Sequence, residues 1–273
     1  MQAFVIRGPG QGDVEEIEPP VPDDGQVIVN VSRVGLCGTD VELFAGTMPY
    51  LSTGEQTTPL VPGHEWVGTV SRLGGGVDRQ WLGRRVTADP VIGCAHCRQC
   101  SAGREHMCDD RYEIGIRGNW PGALAEQLRV PAAVLRPLPD SVDDTAGVLV
   151  EPAGCAHRAV AAANLRPGQR ACLFGPGTLG LLALQFLVVR GITVDMVGVE
   201  EGSLRLARAL GAANVWAAGV GPGDRYDAVI DASPSPIVGR LALRHVEPAG
   251  RVDRKSTRLN SSHLAVSRMP SSA

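Results

Sequence analysis

The sequence is short of lysine, of aromatic residues and of long apolar runs. Its 273 residues contain one lysine and only 4% aromatic residues, and the net charge is −3. A chain with no excess of positive charge does not offer the basic surface that nucleic acids bind. No apolar stretch reaches the roughly 18 residues of a membrane span, and no basic segment followed by an apolar core opens the chain. We therefore expect a cytoplasmic protein with neither a nucleic-acid nor a membrane partner.

The composition changes near residue 253. The single lysine, Lys255, lies in the last 21 residues, which also hold six serines against eight in residues 1–252. The segment 255–263 resembles adapter or vector sequence from an assembled gene fragment. We predict that residues 253–273 are a foreign, unstructured tail, with a natural disordered tail as the alternative. The uninterrupted gene should then diverge near residue 253 and continue for roughly 80–100 residues, enough for a second βαβ half and a return segment.

Four of the seven cysteines are clustered with metal-ligand spacing. They form the pattern C-x₂-C-x₂-C-x₇-C at Cys94, Cys97, Cys100 and Cys108. Zinc binds four thiolates tetrahedrally, and two-residue gaps let neighbouring sulfurs converge from one tight loop. Disulfides suit this long, core-rich chain less well, and redox or coincidental cysteines are the alternative. The spacing predicts a closed, structural zinc site that orders a surface lobe.

A second set of ligand types has an open position. Cys37 stands in Gly-Leu-Cys-Gly-Thr-Asp and His64 in Gly-His-Glu. A catalytic zinc needs about three protein ligands and one free position for water or substrate. Glu65 and Glu151 are alternative third ligands, and Asp40 is placed to hold the imidazole. The pattern predicts a catalytic zinc, although most isolated Cys/His pairs are core residues.

Thr39 follows Cys37 by two residues. A hydroxyl there can accept the proton of a zinc-bound alcohol and pass it on. The alternative is a loop threonine that bonds only to local backbone.

A glycine-rich turn follows the apolar run that ends at residue 174. Its glycines permit a tight turn and a close approach of pyrophosphate to a helix N-terminus. We predict that it binds a dinucleotide through Gly175, Pro176, Gly177, Thr178, Leu179 and Gly180. About 20 residues later, Glu200 and Glu201 can bond the ribose hydroxyls and repel a 2′-phosphate, which favours NAD over NADP. If Gly198 discriminates instead, the pocket is open and Arg205 can reach a phosphate.

The pattern of elements predicts two domains. Short strands broken by glycine and proline indicate a small antiparallel barrel or sandwich in the first 150 residues, and a helix over 145–163 follows. Strands and helices then alternate over 170–246, which predicts a parallel, helix-covered sheet. We assign residues 1–150 to a catalytic domain with the zinc lobe, 151–252 to a partial dinucleotide-binding domain, and 253–273 to the tail. The fold class is therefore α/β with a β-rich first domain.

Together these motifs resemble the zinc-containing medium-chain alcohol dehydrogenases, over residues 1 to about 252. The resemblance implies a GroES-like β-barrel followed by an incomplete Rossmann fold, with a catalytic zinc at Cys37 and His64. It also implies Thr39 as the proton relay, and Glu65 as a residue that joins or exchanges on the metal. Glutamate in Leu-Val-Glu151-Pro is similar to the polyol, sugar and threonine dehydrogenase branch. Members of that family continue beyond this chain, so we expect the restored full-length protein to be active and the 273-residue fragment to be inactive. The full-length parent is expected to be a homodimer or homotetramer.

Two further stretches are similar to the glucose dehydrogenases of that branch. They are the insert 46–61 and the run Tyr112-Glu113-Ile-Gly-Ile116. This similarity implies that Glu113 grips sugar hydroxyls, the alternative being a solvated loop acid. We therefore expect a zinc-dependent enzyme that transfers hydride from a hydroxyl of a sugar, polyol or cyclitol-like substrate to NAD or NADP. The alternatives are a threonine or amino-alcohol dehydrogenase, a non-catalytic zinc-ribbon interaction protein, and a nucleotide-binding domain without catalysis.

Overall fold

Two units make up the chain, Met1–Glu151 and Pro152–Ala273. The computed structural model describes residues 1–219, 221–254 and 267–268. Within these residues, no helix has both the length and the apolar character needed to cross a membrane.

The first unit is built from antiparallel strands, as predicted. A five-stranded sheet has the order β8-β3-β4-β5-β9, and two smaller sheets pair β1 with β2 and β6 with β7. The strands are β1 (Gln2–Gly8), β2 (Gln11–Glu16), β3 (Gln26–Gly35), β4 (Glu65–Leu73), β5 (Arg85–Ala88), β6 (Val91–Ile92), β7 (Tyr112–Glu113), β8 (Gln127–Pro131) and β9 (Leu135–Pro137). Strand β8 alternates buried and half-buried positions, so one of its faces packs on the core. That core surrounds Trp66, which is fully buried.

Short helices lie between these strands. They are α1 (Gly38–Ala45), α2 (Pro49–Thr53), α3 (Arg98–Ser101) and α4 (Asp144–Gly147), with 3-10 turns at Arg79–Trp81, Glu105–Met107 and Ala132–Val134. Helix α5 (Val150–Ala163) leads into the second unit. The single helix predicted over 145–163 is therefore two helices. Asp143 caps the start of α4 by accepting from the backbone N–H of Ala146, and that helix ends at Gly147, before α5 begins at Val150.

The second unit contains a parallel sheet with the order β12-β11-β10-β13-β14. Its strands are β10 (Arg170–Phe174), β11 (Thr193–Gly198), β12 (Asn214–Ala217), β13 (Tyr226–Asp231) and β14 (Val246–Arg254), and its helices are α6 (Thr178–Val189), α7 (Glu201–Ala209) and α8 (Val238–His245). This is the 3-2-1-4-5 part of the doubly wound order. Strands β10 and β11 are buried at almost every position, as expected for a sheet with helices on both faces.

The last described residues differ from the sequence prediction. Asp253 and Arg254 complete β14, and Ser267–Arg268 forms a short strand, β15, that pairs antiparallel with β14. The predicted lack of structure is therefore wrong at these four residues, because Asp253 and Arg254 pair with β13 and Ser267–Arg268 pairs with β14. Residues 255–266 and 269–273 lie outside the described residues. That the tail is foreign stays a prediction.

Candidate metal centres and cofactor-binding turn

Asp40 organises the start of helix α1 and the loop before β4. Its Oδ2 accepts a 2.9 Å hydrogen bond from the backbone N–H of Cys37, the residue that caps the helix. Its Oδ1 accepts from the backbone N–H of Gly63 at 3.0 Å and lies 3.4 Å from Nδ1 of His64. Asp40 is 5% exposed and His64 is 4% exposed. A carboxylate at Nδ1 orients the imidazole, so that Nε2 is the nitrogen offered to a metal.

Cys37, His64 and Glu65 converge on one point. One ligand atom from each lies within 4.8 Å of the other two. Burial alone would lower the pKa of His64, but its interactions with Asp40 and Cys37 outweigh that effect and raise the pKa well above its ordinary value. A thiolate, an imidazole and a carboxylate are the donors that a three-ligand catalytic zinc takes. The residues present therefore fit such an ion.

Glu65 owes its position to a glycine on the neighbouring strand. Gly35 pairs with Glu65 across β3 and β4. A Cβ on Gly35 would lie 2.5 Å from the Glu65 carboxylate oxygen Oε2. Burial raises the pKa of Glu65, and nearby Glu151 adds to that rise. Glu151 is not in the group of three whose ligand atoms lie within 4.8 Å of one another, so its role as a metal ligand stays a prediction.

Thr39 lies in the first turn of α1, beside the same group. Its Oγ1 is 3.8 Å from the sulfur of Cys37. The residue is half-buried. This position is compatible with the predicted proton relay, which stays a prediction.

The four-cysteine cluster forms a second convergent group. The sulfurs of Cys94, Cys97, Cys100 and Cys108 all lie within 4.8 Å of one another. Those of Cys94 and Cys100 are 3.9 Å apart. Backbone N–H groups of His96 and Cys97 help to lower the pKa of Cys94 to about 6. A Cβ on Gly93 would lie 2.6 Å from the sulfur of Cys100, so a glycine leaves room for that thiolate. The set fits a closed tetrathiolate zinc site.

The glycine-rich turn joins β10 to α6 in the second unit. Gly175 has φ +92, and Gly180 packs so closely that a Cβ on it would lie 2.0 Å from the carbonyl oxygen of Gly175. By contrast, a Cβ on Gly177 would meet nothing within 4 Å. Two glycines therefore shape the turn, and the third keeps open the space in front of the α6 N-terminus, which no side chain caps. This cradle fits a dinucleotide pyrophosphate.

The two candidate ribose-binding acids differ in their surroundings. Glu200 occupies the N-cap position of α7, just beyond the end of β11, without a capping side-chain bond, and both glutamates are exposed. Glu201 forms an ion pair with Arg205 at 2.8 Å. A Cβ on Gly198 would lie 2.4 Å from Cγ of Pro176. Close packing on the glycine-rich turn therefore explains why position 198 has no side chain.

Comparison with known proteins decides the family. The alcohol dehydrogenase GroES-like domain matches residues 23–140. A zinc-type alcohol dehydrogenase-like protein of Haemophilus influenzae is 30% identical over 267 residues, which are 92% of this chain and 75% of that protein. This chain belongs to the zinc-type alcohol dehydrogenase family.

Two further proteins show how much of such a dehydrogenase the chain represents. The zinc-type alcohol dehydrogenase-like protein YdjJ of Escherichia coli is 34% identical over 209 residues, 76% of this chain but only 60% of YdjJ. The structure of the alcohol dehydrogenase RspB from Escherichia coli CFT073 in complex with NADH has a TM-score of 0.86 and 28% identity. That match covers all of this chain and 78% of RspB.

In this zinc-type alcohol dehydrogenase chain, Glu113 is neither solvated nor open. Its carboxylate is 4% exposed and accepts hydrogen bonds from Arg111 Nε at 2.7 Å and from the Tyr50 hydroxyl at 3.3 Å. The predicted contact with sugar hydroxyls stays a prediction. Sequence reasoning missed Arg111 and Tyr50. The one available signal was the two-residue spacing of Arg111 and Glu113, which places both on one face of an extended segment.

Proposed function

We propose that this chain is the catalytic and cofactor-binding part of a zinc-dependent dehydrogenase. It would transfer hydride from a hydroxyl of a small sugar, polyol or cyclitol-like molecule to NAD or NADP, with NAD preferred. The observation that carries the proposal is the convergence of Cys37, His64 and Glu65 within 4.8 Å of one another. No membrane or nucleic-acid partner is proposed, and the full-length parent is expected to be a cytoplasmic homodimer or homotetramer.

The residues of this chain have separable tasks in that reaction. Zinc at the open site would make the substrate hydroxyl more acidic, and the nicotinamide would accept hydride. Cys37, His64 and Glu65 would hold the ion, and Asp40 would keep the imidazole oriented through Nδ1. The Thr39 hydroxyl would receive the alcohol proton and pass it towards solvent.

The preference for NAD rests on Glu200. It lies at the carboxyl end of the second strand of the parallel sheet, where an acidic side chain repels a 2′-phosphate. Glu201 forms an exposed ion pair with Arg205, and its carboxylate would repel a 2′-phosphate that approached this arginine.

The substrate class rests on the metal site and on resemblance. Glu151 stands where simple alcohol dehydrogenases have cysteine, which is similar to the polyol and sugar branch. Whereas a site with two cysteines has two thiolates, a ligand group that includes the Glu65 carboxylate has one oxygen donor and one thiolate. A substrate with several hydroxyl groups suits such a site better than a simple apolar alcohol.

A comparison of two threonine variants tests the proposal. NADH formation by the full-length parent, expressed from the uninterrupted gene, is followed by absorbance in single-turnover reactions with alditols, aldoses, cyclitols and L-threonine. Thr39→Val should lower the rate by about 10²–10⁴-fold, as expected for loss of a general acid–base group. Thr47→Val removes an exposed hydroxyl just beyond α1 and should leave the rate unchanged. No NADH from any hydroxyl substrate, although metal and NAD both bind, would contradict the proposed function.

A further inference from the structure

One arginine side chain joins α2 to the continuous stretch that leads from the four-cysteine lobe into β7. Arg111 donates from Nη1 to the carbonyl oxygen of Cys108 at 3.1 Å. It donates from Nε to Oε1 of Glu113 at 2.7 Å and from Nη2 to the hydroxyl of Tyr50 at 3.0 Å. These partners lie in the four-cysteine lobe, in β7 and in α2. A planar guanidinium holds three acceptors in fixed directions, which a lysine ammonium on a flexible stem does not.

The arginine and its carboxylate are almost completely buried. The side chain of Arg111 is 10% exposed and that of Glu113 is 5% exposed. Moving two charges out of water costs free energy that an apolar pair of similar size would not cost. Stability alone therefore gives a weak reason for this pair. The fixed directions of its bonds indicate that it positions the segments it joins.

The segment that begins at the four-cysteine lobe ends against the open metal site. Gly115 has φ +69, and a Cβ on it would lie 2.7 Å from the carbonyl oxygen of Gly63. Gly63 directly precedes His64, and its N–H donates to the Asp40 carboxylate that faces the imidazole. The chain from Cys108 to Gly115 thus runs from a ligand of one metal group to the peptide that sets a ligand of the other.

We propose that Arg111 is a positioning residue that couples the two metal groups. By tying the four-cysteine lobe to the segment behind His64, it makes an ordered lobe a condition for the correct geometry of Cys37, His64 and Glu65. This inference rests on the proposed function, because it takes both groups as sites for a divalent transition metal.

Cobalt(II) in the open site provides a direct readout of that geometry. The purified full chain is prepared with zinc in the four-cysteine lobe and cobalt in the open site, and Cys37→Ser identifies the absorption band that belongs to the open site. In Arg111→Gln, we expect cobalt loss to a chelator to accelerate about tenfold. The thiolate-to-cobalt band should also shift while the lobe keeps its zinc. Arg111→Lys should behave like the glutamine variant, because it keeps the charge and loses the fixed geometry. The matched control is Arg104→Gln, an exposed arginine of the same lobe, which should match the wild type.

Three other results of the cobalt experiment would overturn the proposal or redirect its test. An unchanged cobalt spectrum and loss rate in Arg111→Gln would overturn the coupling. If Arg111→Gln loses the zinc of the lobe, the experiment uses Tyr50→Phe instead. That variant removes one hydrogen-bond acceptor of Arg111 and leaves the lobe intact. Tyr50→Phe should still release cobalt faster than the wild type, and an equal rate would overturn the proposal. Identical spectra for wild type and Cys37→Ser would mean that the open site binds no metal, and would overturn the proposed function as well.

Discussion

Replacing Gly35 by alanine should displace a metal ligand without altering any ligand residue. Gly35 lies at the end of β3, opposite Glu65. An added Cβ would lie 2.5 Å from Glu65 Oε2 and 3.1 Å from Glu65 Cβ. Ordinary contacts between such atoms are about 3.5–4.0 Å, so the carboxylate must move by roughly 1 Å. Metal–ligand distances tolerate only about 0.2 Å. Glu65 therefore cannot keep its place in the ligand group.

Gly35→Ala should have two measurable effects, a loss of stability and a faster release of metal. Overpacking should cost about 1–3 kcal/mol in the free energy of unfolding of the first unit. Loss of one ligand should accelerate metal release from the open site by about 10–100-fold. The matched control is Gly38→Ala at the start of α1, where a Cβ would meet nothing within 4 Å. That variant should be as stable as the wild type or slightly more stable, because alanine favours a helix.

The assay is release of metal from the open site to a chelator, read beside urea unfolding of each variant. Fast release in Gly35→Ala and wild-type release in Gly38→Ala would support Glu65 as the third ligand. Equal release from both variants would refute that reasoning. Glu151→Gln would then be expected to release metal fastest, and Glu151 would take the place of Glu65 in the proposed site.

Three further predictions concern the second unit. Gly177→Ala should weaken NADH binding in a fluorescence titration and leave the stability of the unit unchanged, because its Cβ fills only open space. Gly180→Ala should weaken NADH binding and also destabilise the unit. Equal stability of the two variants would contradict this difference between the two glycines. Replacing Glu200 by serine and Glu201 by arginine should weaken NAD binding relative to NADP, and unchanged relative affinities would place discrimination elsewhere. Tyr226→Phe removes a buried 2.6 Å hydrogen bond to an aspartate and should cost about 1–3 kcal/mol in thermal unfolding; no shift in Tm would contradict that cost.

Local patterns predicted the parts of the site that are close together in sequence. Four cysteines within one loop, and three glycines within one turn, are brought together by their spacing alone. Cys37 and His64 were identified because the ends of adjacent antiparallel strands meet. The contact of Tyr50 with Arg111 and Glu113 was missed, because Tyr50 lies 61 residues before Arg111 and no short-range pattern links the two.

Strands β2 and β12 are two elements that hydrophobic periodicity does not reveal, for physical reasons. Strand β2 is mostly exposed, so hydrophobic periodicity cannot reveal it, and it exists because β1 offers an edge for pairing. Strand β12 has four residues, none of them fully buried. It forms because it pairs with β11 at the edge of the sheet. Strand β10 and helix α6 are strongly apolar, so both follow from the alternation of strands and helices predicted over residues 170–246.

Metal content per chain tests the central claim most directly. The account predicts two zinc ions in the purified wild-type chain, one released readily to a chelator and one retained. Cys37→Ser should retain one zinc, and Cys94→Ser should lose the retained zinc and the order of its lobe. At most one zinc in the wild type, with Cys94→Ser changing nothing, would contradict the account.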